Sequence, residues 1–373
     1  MDMSDSTIDF NHITCSFIGL GLIGGSIAKA LRRSYPDITL FAYDLDESGL
    51  KQAHDENVIS RYETNMTDDL FACNFLFLCA PVSRNDEMLS EIKNKLREGT
   101  IITDVGSVKQ TTHQAIAEAG LSHVFIGGHP MAGSEKTGYA NANPLLLENA
   151  YYILTPTEEV PGTKVEQLKS LISGLGALPL VLPYDKHDYI TAAVSHLPHI
   201  ISACLVNLVQ KSDDKDGLMK MIAAGGFKDI TRISSSSPVM WQSVCLTNTE
   251  NIQKLLDDYI SDLQTVHSQL SGRCEQELYD LFDSAKEYRD GFAAGGHGPI
   301  KKAYAIHVDI PDIPGSLAQT ATILALHGLS IKNIGIMHSR EFQEGALRIE
   351  FYDEATEKTA VEVLRKSHYT IYE

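Results

Sequence analysis

The first half of the chain alternates short, continuously apolar runs with stretches of helical period. Residues 14–20, 39–43, 75–82 and 100–105 read as buried strands, and 23–33, 87–96 and 109–119 as amphipathic helices. Strands that are apolar on both faces and separated by helices predict a parallel sheet covered on both sides. Residues 124–126 and 150–155 are expected to extend that sheet, with 163–175 as its last helix before a strand at 179–182.

From about residue 186 the pattern changes. Strand-like runs vanish, and long helical patterns occupy 189–211, 219–224 and 250–270, with a last helix reaching about 288. Residues 291–299 are rich in glycine and poor in bulky side chains, as a linker would be. Beyond it the order is strand 303–310, helix 315–326, strands 330–338 and 346–352, helix 356–366 and strand 369–372, a compact βαββαβ unit. The chain therefore divides into a dinucleotide-binding α/β domain (1–185), an all-α domain (186–290), a linker (291–300) and an α+β domain (301–373).

Composition narrows the function. At 373 residues, 43% hydrophobic and 21% charged, the chain has the balance of a globular protein. A net charge of -18 argues against nucleic acid or an anionic membrane as partner. The six cysteines show neither CxxC pairs nor zinc spacing, so no metal is expected, and reduced thiols suggest the cytoplasm. The apolar run 13–31 resembles a signal segment, but its leader is acidic and four glycines break it; nothing else is expected to approach a membrane span.

Gly19-Leu-Gly21-Leu22-Ile23-Gly24 lies between a predicted strand and a predicted helix. Such glycines supply a tight turn, backbone approach to a pyrophosphate, and close helix–strand packing, while the helix start offers N–H groups to phosphates. Asp44 follows the second strand where a carboxylate bonds both ribose hydroxyls, with Asp46 as the alternative. A carboxylate there would repel a 2′-phosphate, so NAD is the expected cofactor. Oxidising an alcohol also requires a proton acceptor, and His129, within Gly127-Gly-His-Pro-Met-Ala-Gly-Ser134-Glu135, suits that role.

That motif resembles the signature of prephenate dehydrogenases, which belong to tyrosine biosynthesis. Asp104-Val-Gly-Ser107-Val-Lys109, Ser195-His196-Leu-Pro-His199, Gly225-Gly-Phe-Lys228-Asp229-Ile-Thr-Arg232 and Pro238-Val-Met-Trp241 follow in the family's order, so that the resemblance covers roughly 13–290. It implies a Rossmann-type domain with a helical dimerisation domain, and a homodimer. It also implies oxidative decarboxylation of prephenate to 4-hydroxyphenylpyruvate by NAD. In that reading His129 takes the proton of the ring hydroxyl, Ser107 orients it, and Arg232 grips a substrate carboxylate. His199 donates to a substrate oxygen, with His196, Ser134 and Trp241 lining the pocket. Glu135, Lys228 and Asp229 resemble an ionic gate, although charged residues of this kind are by default solvated surface.

Arogenate dehydrogenase is the nearest alternative. Ser237 stands where many relatives carry an acid or amide, and it offers no charge to the ammonium of arogenate, which favours prephenate. A β-hydroxyacid dehydrogenase would use a lysine base in the helical part, and a catalytically silent NAD- and amino-acid-responsive regulator would not need Ser107, His129 and Arg232 together. The C-terminal βαββαβ unit resembles an ACT domain, which implies an amino-acid effector, expected to be tyrosine, at Asp312, Gly315, Ser316 and Asn333.

Overall fold

The computed structural model describes residues 9–80, 82–133, 136–294, 304–311, 313–337 and 346–372. Ser134, Glu135 and Asp312 lie outside the described residues. The chain forms two compact units, Met1–Ser268 and Gln269–Glu373.

In the first unit, strands β1 (Thr14–Ile18), β2 (Thr39–Tyr43), β3 (Arg61–Glu63), β4 (Phe75–Leu78) and β5 (Ile101–Asp104) form a parallel sheet in the order β3-β2-β1-β4-β5. Helices α1 (Leu22–Ser34), α2 (Glu47–Asp55), α3 (Val82–Lys93) and α4 (Gln110–Ala119) connect and flank these strands. Side chains alternate across each strand and so feed two cores. Phe17, Leu40 and Phe77 pack with Ile27 and Leu31 on one face. Ile18, Phe41, Leu76, Leu78 and Ile102 pack with Leu89, Ile92 and Ile116 on the other. Each such side chain, fully buried, contributes about 1.5–3 kcal/mol.

The expected extension of this sheet is not what forms. β6 (Ile126–Pro130), β7 (Tyr151–Pro156) and β8 (Leu178–Val181) make a separate three-stranded sheet in the order β6-β7-β8. β6 runs antiparallel to β7, and β8 is parallel to it after helix α5 (Gly162–Gly174). A single bridge, Ile102 to Phe125, touches the larger sheet. A parallel continuation from β6 to β7 needs a helical crossover. Between those strands the described helical structure is one short 3-10 turn, Tyr139–Asn141, so the chain doubles back instead.

The helical region starts at α6 (Tyr184–Thr191), five residues before the predicted onset. A single π turn, Ala192–His196, joins it to α7 (Leu197–Ser212). Then come α8 (Leu218–Ile222), α9 (Gly225–Thr231), a 3-10 turn Arg232–Ser235, α10 (Pro238–Thr247) and α11 (Thr249–Gly272). The expectation that nothing approaches a membrane span needs correcting. Tyr184–Ser212 is helical throughout and holds an 18-residue window of mean hydropathy 1.5, only 22% buried. Its exposed apolar side chains belong to a helix that also carries three histidines and two aspartates.

The second unit begins in the last turn of α11 and continues with α12 (Glu275–Ala294), so the first four residues of the expected linker are helical and 295–300 lie outside the described residues. β9 (Tyr304–Asp309), α13 (Ser316–Leu326), β10 (Asn333–Met337), β11 (Ala346–Phe351), α14 (Glu354–Lys366) and β12 (Ile371–Tyr372) follow. The strands pair antiparallel in the order β10-β11-β9-β12. Ile306, Val308, Leu324, Leu347, Ile349, Phe351 and Leu364 give this unit its own core.

Candidate active site

At the C-terminal end of β1 the chain turns at Gly19, whose φ of +95° and whose position beside Ala80 exclude a side chain; a Cβ there would lie 2.6 Å from the Ala80 nitrogen. Gly24 in α1 faces the Gly19 carbonyl, leaving no room for a Cβ either. Gly21, by contrast, has nothing within 4 Å of where a Cβ would sit, so a ligand can reach the backbone. No side chain caps α1 there, which leaves its N-terminal amides to an anion. Asp44, immediately after β2, accepts from the Leu20 amide (2.5 Å) and the Asp46 amide (2.9 Å). Its carboxylate is thereby fixed beside the glycine turn, and this donor and acceptor set fits a dinucleotide.

The histidine motif is β6 itself. Asp104, at the end of β5, accepts from the amides of Gly106 (2.9 Å) and Gly128 (3.0 Å) and is paired with the Lys109 ammonium. Lys109 also donates to the Gly128 carbonyl at 2.7 Å. This wholly buried pair staples β6 to β5, and burial pushes the ammonium down from its ordinary value while Asp104 opposes it. Gly128 has to be glycine, because a Cβ would lie 2.5 Å from the Asp104 carbonyl oxygen.

His129 is thereby presented to a cleft of about 630 Å³. Ser107, His196, His199, Lys228, Arg232 and Trp241 share the lining with it. Burial, then the adjacent His187 and Lys109, hold His129 well below the usual imidazole range, so it is neutral at pH 7. Its Nδ1 meets His187 Nε2 at 2.8 Å, and His187 Nδ1 meets Asp188 Oδ1 at 2.7 Å. Asp188 further accepts the amides of Lys109 and Gln110, both at 2.8 Å, at the start of α4. These neighbours, His187 and Asp188, are fully buried and went unnoticed in the sequence. They sit just before the predicted helix onset, and no spacing rule ties them to His129.

The other predicted residues divide. The 3-10 turn carries Arg232, whose side chain has no carboxylate partner among the described residues. Ser202 holds that turn in place by bonding Ser234 (2.6 Å) and the Ile230 carbonyl (3.1 Å). Trp241 stacks on His199, centroids 3.6 Å apart at 24°, and meets His196 edge-on at 6.0 Å. Its buried Nε1 has no hydrogen-bond partner among the described residues. His199 was expected to donate to substrate, but its Nδ1 is spent on the Ser195 carbonyl (2.9 Å). That carbonyl only accepts, so the neutral ring keeps Nε2 as an acceptor. Burial also lowers the His199 pKa. Lys228 reaches the cleft, whereas Asp229 is exposed and does not line it. Ser237 caps α10 by accepting from the Met240 amide, and Ser236 stands at the cleft instead. In the C-terminal unit, Gly315 adopts φ +98° at the start of α13, Ser316 opens that helix, and Asn333 opens β10. Among the described residues no group of histidine, cysteine or acidic side chains is arranged to hold a metal.

A glycine-turn nucleotide site and an imidazole facing a cleft walled by a helical domain define a two-domain dehydrogenase. Two family models match in succession: the prephenate dehydrogenase nucleotide-binding domain over residues 27–180, and the prephenate dehydrogenase dimerization domain over 183–284. Prephenate dehydrogenase of Bacillus subtilis is 37% identical over 96% of this chain and 98% of its own. Prephenate dehydrogenase from Aquifex aeolicus, solved with hydroxyphenyl propionate and NAD+, superposes with a TM-score of 0.71 at 30% identity, covering 75% of this chain and 98% of that one. Synechocystis arogenate dehydrogenase gives 0.68 at 29% identity, over 75% of this chain and all of that one. The chain belongs to the prephenate dehydrogenase family, and is an enzyme of that class, not a silent regulator.

Proposed function

We infer that the protein oxidises prephenate with NAD, releasing the ring carboxylate as carbon dioxide and yielding 4-hydroxyphenylpyruvate. The observation that carries this reading is the neutral His129 ring, held through Nδ1 so that Nε2 is left as a base beside Ser107 and Arg232. Gly19, Gly21, Leu22, Ile23, Gly24 and Asp44 would hold NAD, which accepts the hydride. His129 takes the hydroxyl proton as the C–H bond breaks, and Ser107 orients the hydroxyl. Arg232 grips a carboxylate, and His196, His199 and Trp241 wall the ring. Ser134 joins this wall in our reading, and Glu135, Lys228 and Asp229 guard its mouth.

Exposed apolar side chains on the helical region, among them Leu208, Met221, Ile222 and Leu246, support a homodimer, as does the match to a dimerization domain. Six free cysteines support a cytoplasmic setting. The βαββαβ unit is read as an ACT domain that binds tyrosine near Asp312, Gly315, Ser316 and Asn333 and throttles the enzyme. Its strand order and the left-handed Gly315 before α13 support that assignment.

One assay tests these readings: NADH formation with prephenate or arogenate, each with and without tyrosine. Turnover of prephenate, suppressed by tyrosine, is expected. Turnover of arogenate alone would reassign the substrate, and activity indifferent to tyrosine, with no heat of binding, would end the effector reading.

A further inference from the structure

Two of the three imidazoles that line the cleft, His129 and His196, have different second partners, and both partners trace to one residue. Asp188 is fully buried, and its two carboxylate oxygens accept the amides of Lys109 and Gln110. His187 Nδ1 therefore has to donate to Asp188, which leaves His187 Nε2 as an acceptor. Facing that acceptor, His129 Nδ1 carries the proton, and its Nε2 keeps a lone pair.

The backbone carbonyl of Asp188 acts on the other ring. It accepts from Asn248 Nδ2 at 2.8 Å, which fixes which end of that amide is the NH2. Asn251 Nδ2 donates to Asn248 Oδ1 at 2.8 Å and agrees with this orientation. The same Asn248 NH2 lies 3.1 Å from His196 Nδ1, which must then accept, so the His196 proton sits on Nε2. His196 is 1% exposed and Asn248 3%, so water does not compete for either contact. The π turn Ala192–His196 separates the two histidines along the helix, and such insertions are frequent at functional sites.

We propose that Asp188 is the positioning residue of this active site: its carboxylate, through His187, makes His129 a proton acceptor, and its carbonyl, through Asn248, makes His196 a hydrogen-bond donor. The cleft is thereby polarised, accepting at the position that takes a hydroxyl proton and donating at the position that meets a carboxylate or carbonyl oxygen. The donor role expected of His199 passes to His196. The inference rests on the dehydrogenase reading for its meaning, but not for its test.

The test is ring-nitrogen NMR on full-length protein with 15N-labelled histidine, assigned with single-histidine variants. His129 is expected as the Nδ1–H form and His196 as the Nε2–H form. Either ring in the other form overturns the proposal, whether or not the protein turns over prephenate. An absent activity, by contrast, would count against the proposed reaction alone. Kinetics supply the second readout. His187→Gln keeps a carbonyl that can accept from His129 Nδ1, whereas His187→Leu does not. The glutamine variant should retain at least tenfold more kcat than the leucine variant, out of the roughly 10²–10⁴-fold that a general base supplies. Equal losses would mean that His187 merely fills space. Asn248→Asp replaces a donor to His196 Nδ1 by an acceptor and should raise KM about tenfold or more with little change in kcat, as expected when uniform binding is lost. An unchanged KM would overturn the His196 half.

Discussion

The nucleotide-binding half and the helical half of the first unit answer the same problem, burying apolar side chains, in different ways. In the sheet, Phe17, Ile18, Leu40, Phe77 and Leu78 are between 0% and 1% exposed, because helices lie on both faces. Along α7 to α10 the apolar residues Leu208, Met221, Ile222 and Val239 are 60–77% exposed. The first half completes its core within one chain; the second leaves its apolar surface for something else to cover. Chemistry is placed between these regimes, with His129 on the edge of a rigid sheet and its partners His187, His196 and His199 on the helix that begins the open half.

The largest effect that would sharpen this contrast is on turnover. His129→Ala should lower kcat by about 10²–10⁴ while NAD binding, measured calorimetrically, stays within twofold. If nucleotide affinity fell with activity, the proton acceptor and the cofactor cradle would not be the separate devices described. Next comes the staple on the sheet side. Lys109→Met leaves the Asp104 carboxylate buried without its cation, and should cost about 3–5 kcal/mol of stability; an unchanged melting temperature would count against the pair as the link between β5 and β6.

On the helical side, Met221→Asp combined with Ile222→Asp should weaken self-association by about 2–4 kcal/mol without touching the sheet core. Sedimentation at micromolar concentration would show monomers, and an intact dimer would move the interface elsewhere. The smallest effect is on pH. Burial pushes His113 and His196 down to about 4, whereas unfolded imidazoles titrate near 6.5. Unfolded chains then bind the extra protons, so stability is fully present above about pH 6.5 and is lost as pH falls toward 4, on the order of 1–3 kcal/mol per ring. A melting temperature flat across that window would contradict both shifts.

The same contrast governs what could be read without coordinates. Gly19 to Gly24 and Asp44 were legible because a local rule of turn geometry dictates them, and β1, β2, β4 and β5 because each is apolar on both faces. The β6–β7 sheet was misjudged: its strands have the same apolar content, and only the non-local choice of an antiparallel return distinguishes them. His129 and Arg232 were legible through motifs. Asp188 and Asn248 were not, because their roles depend on which neighbour's nitrogen or carbonyl they meet, 60 to 79 residues away in sequence. The helix onset at Tyr184 escaped notice as well, since its first turn mixes Asp185, Lys186 and His187 with few apolar residues.

The stack of Trp241 on His199 has an optical consequence. It is the sole tryptophan of 373 residues, so the indole emission of the whole protein originates from the wall of one cleft. Any ligand that enters, bonds to the buried Nε1 or shifts the neighbouring imidazole will change the colour or yield of that light. The molecule carries its own unlabelled occupancy gauge.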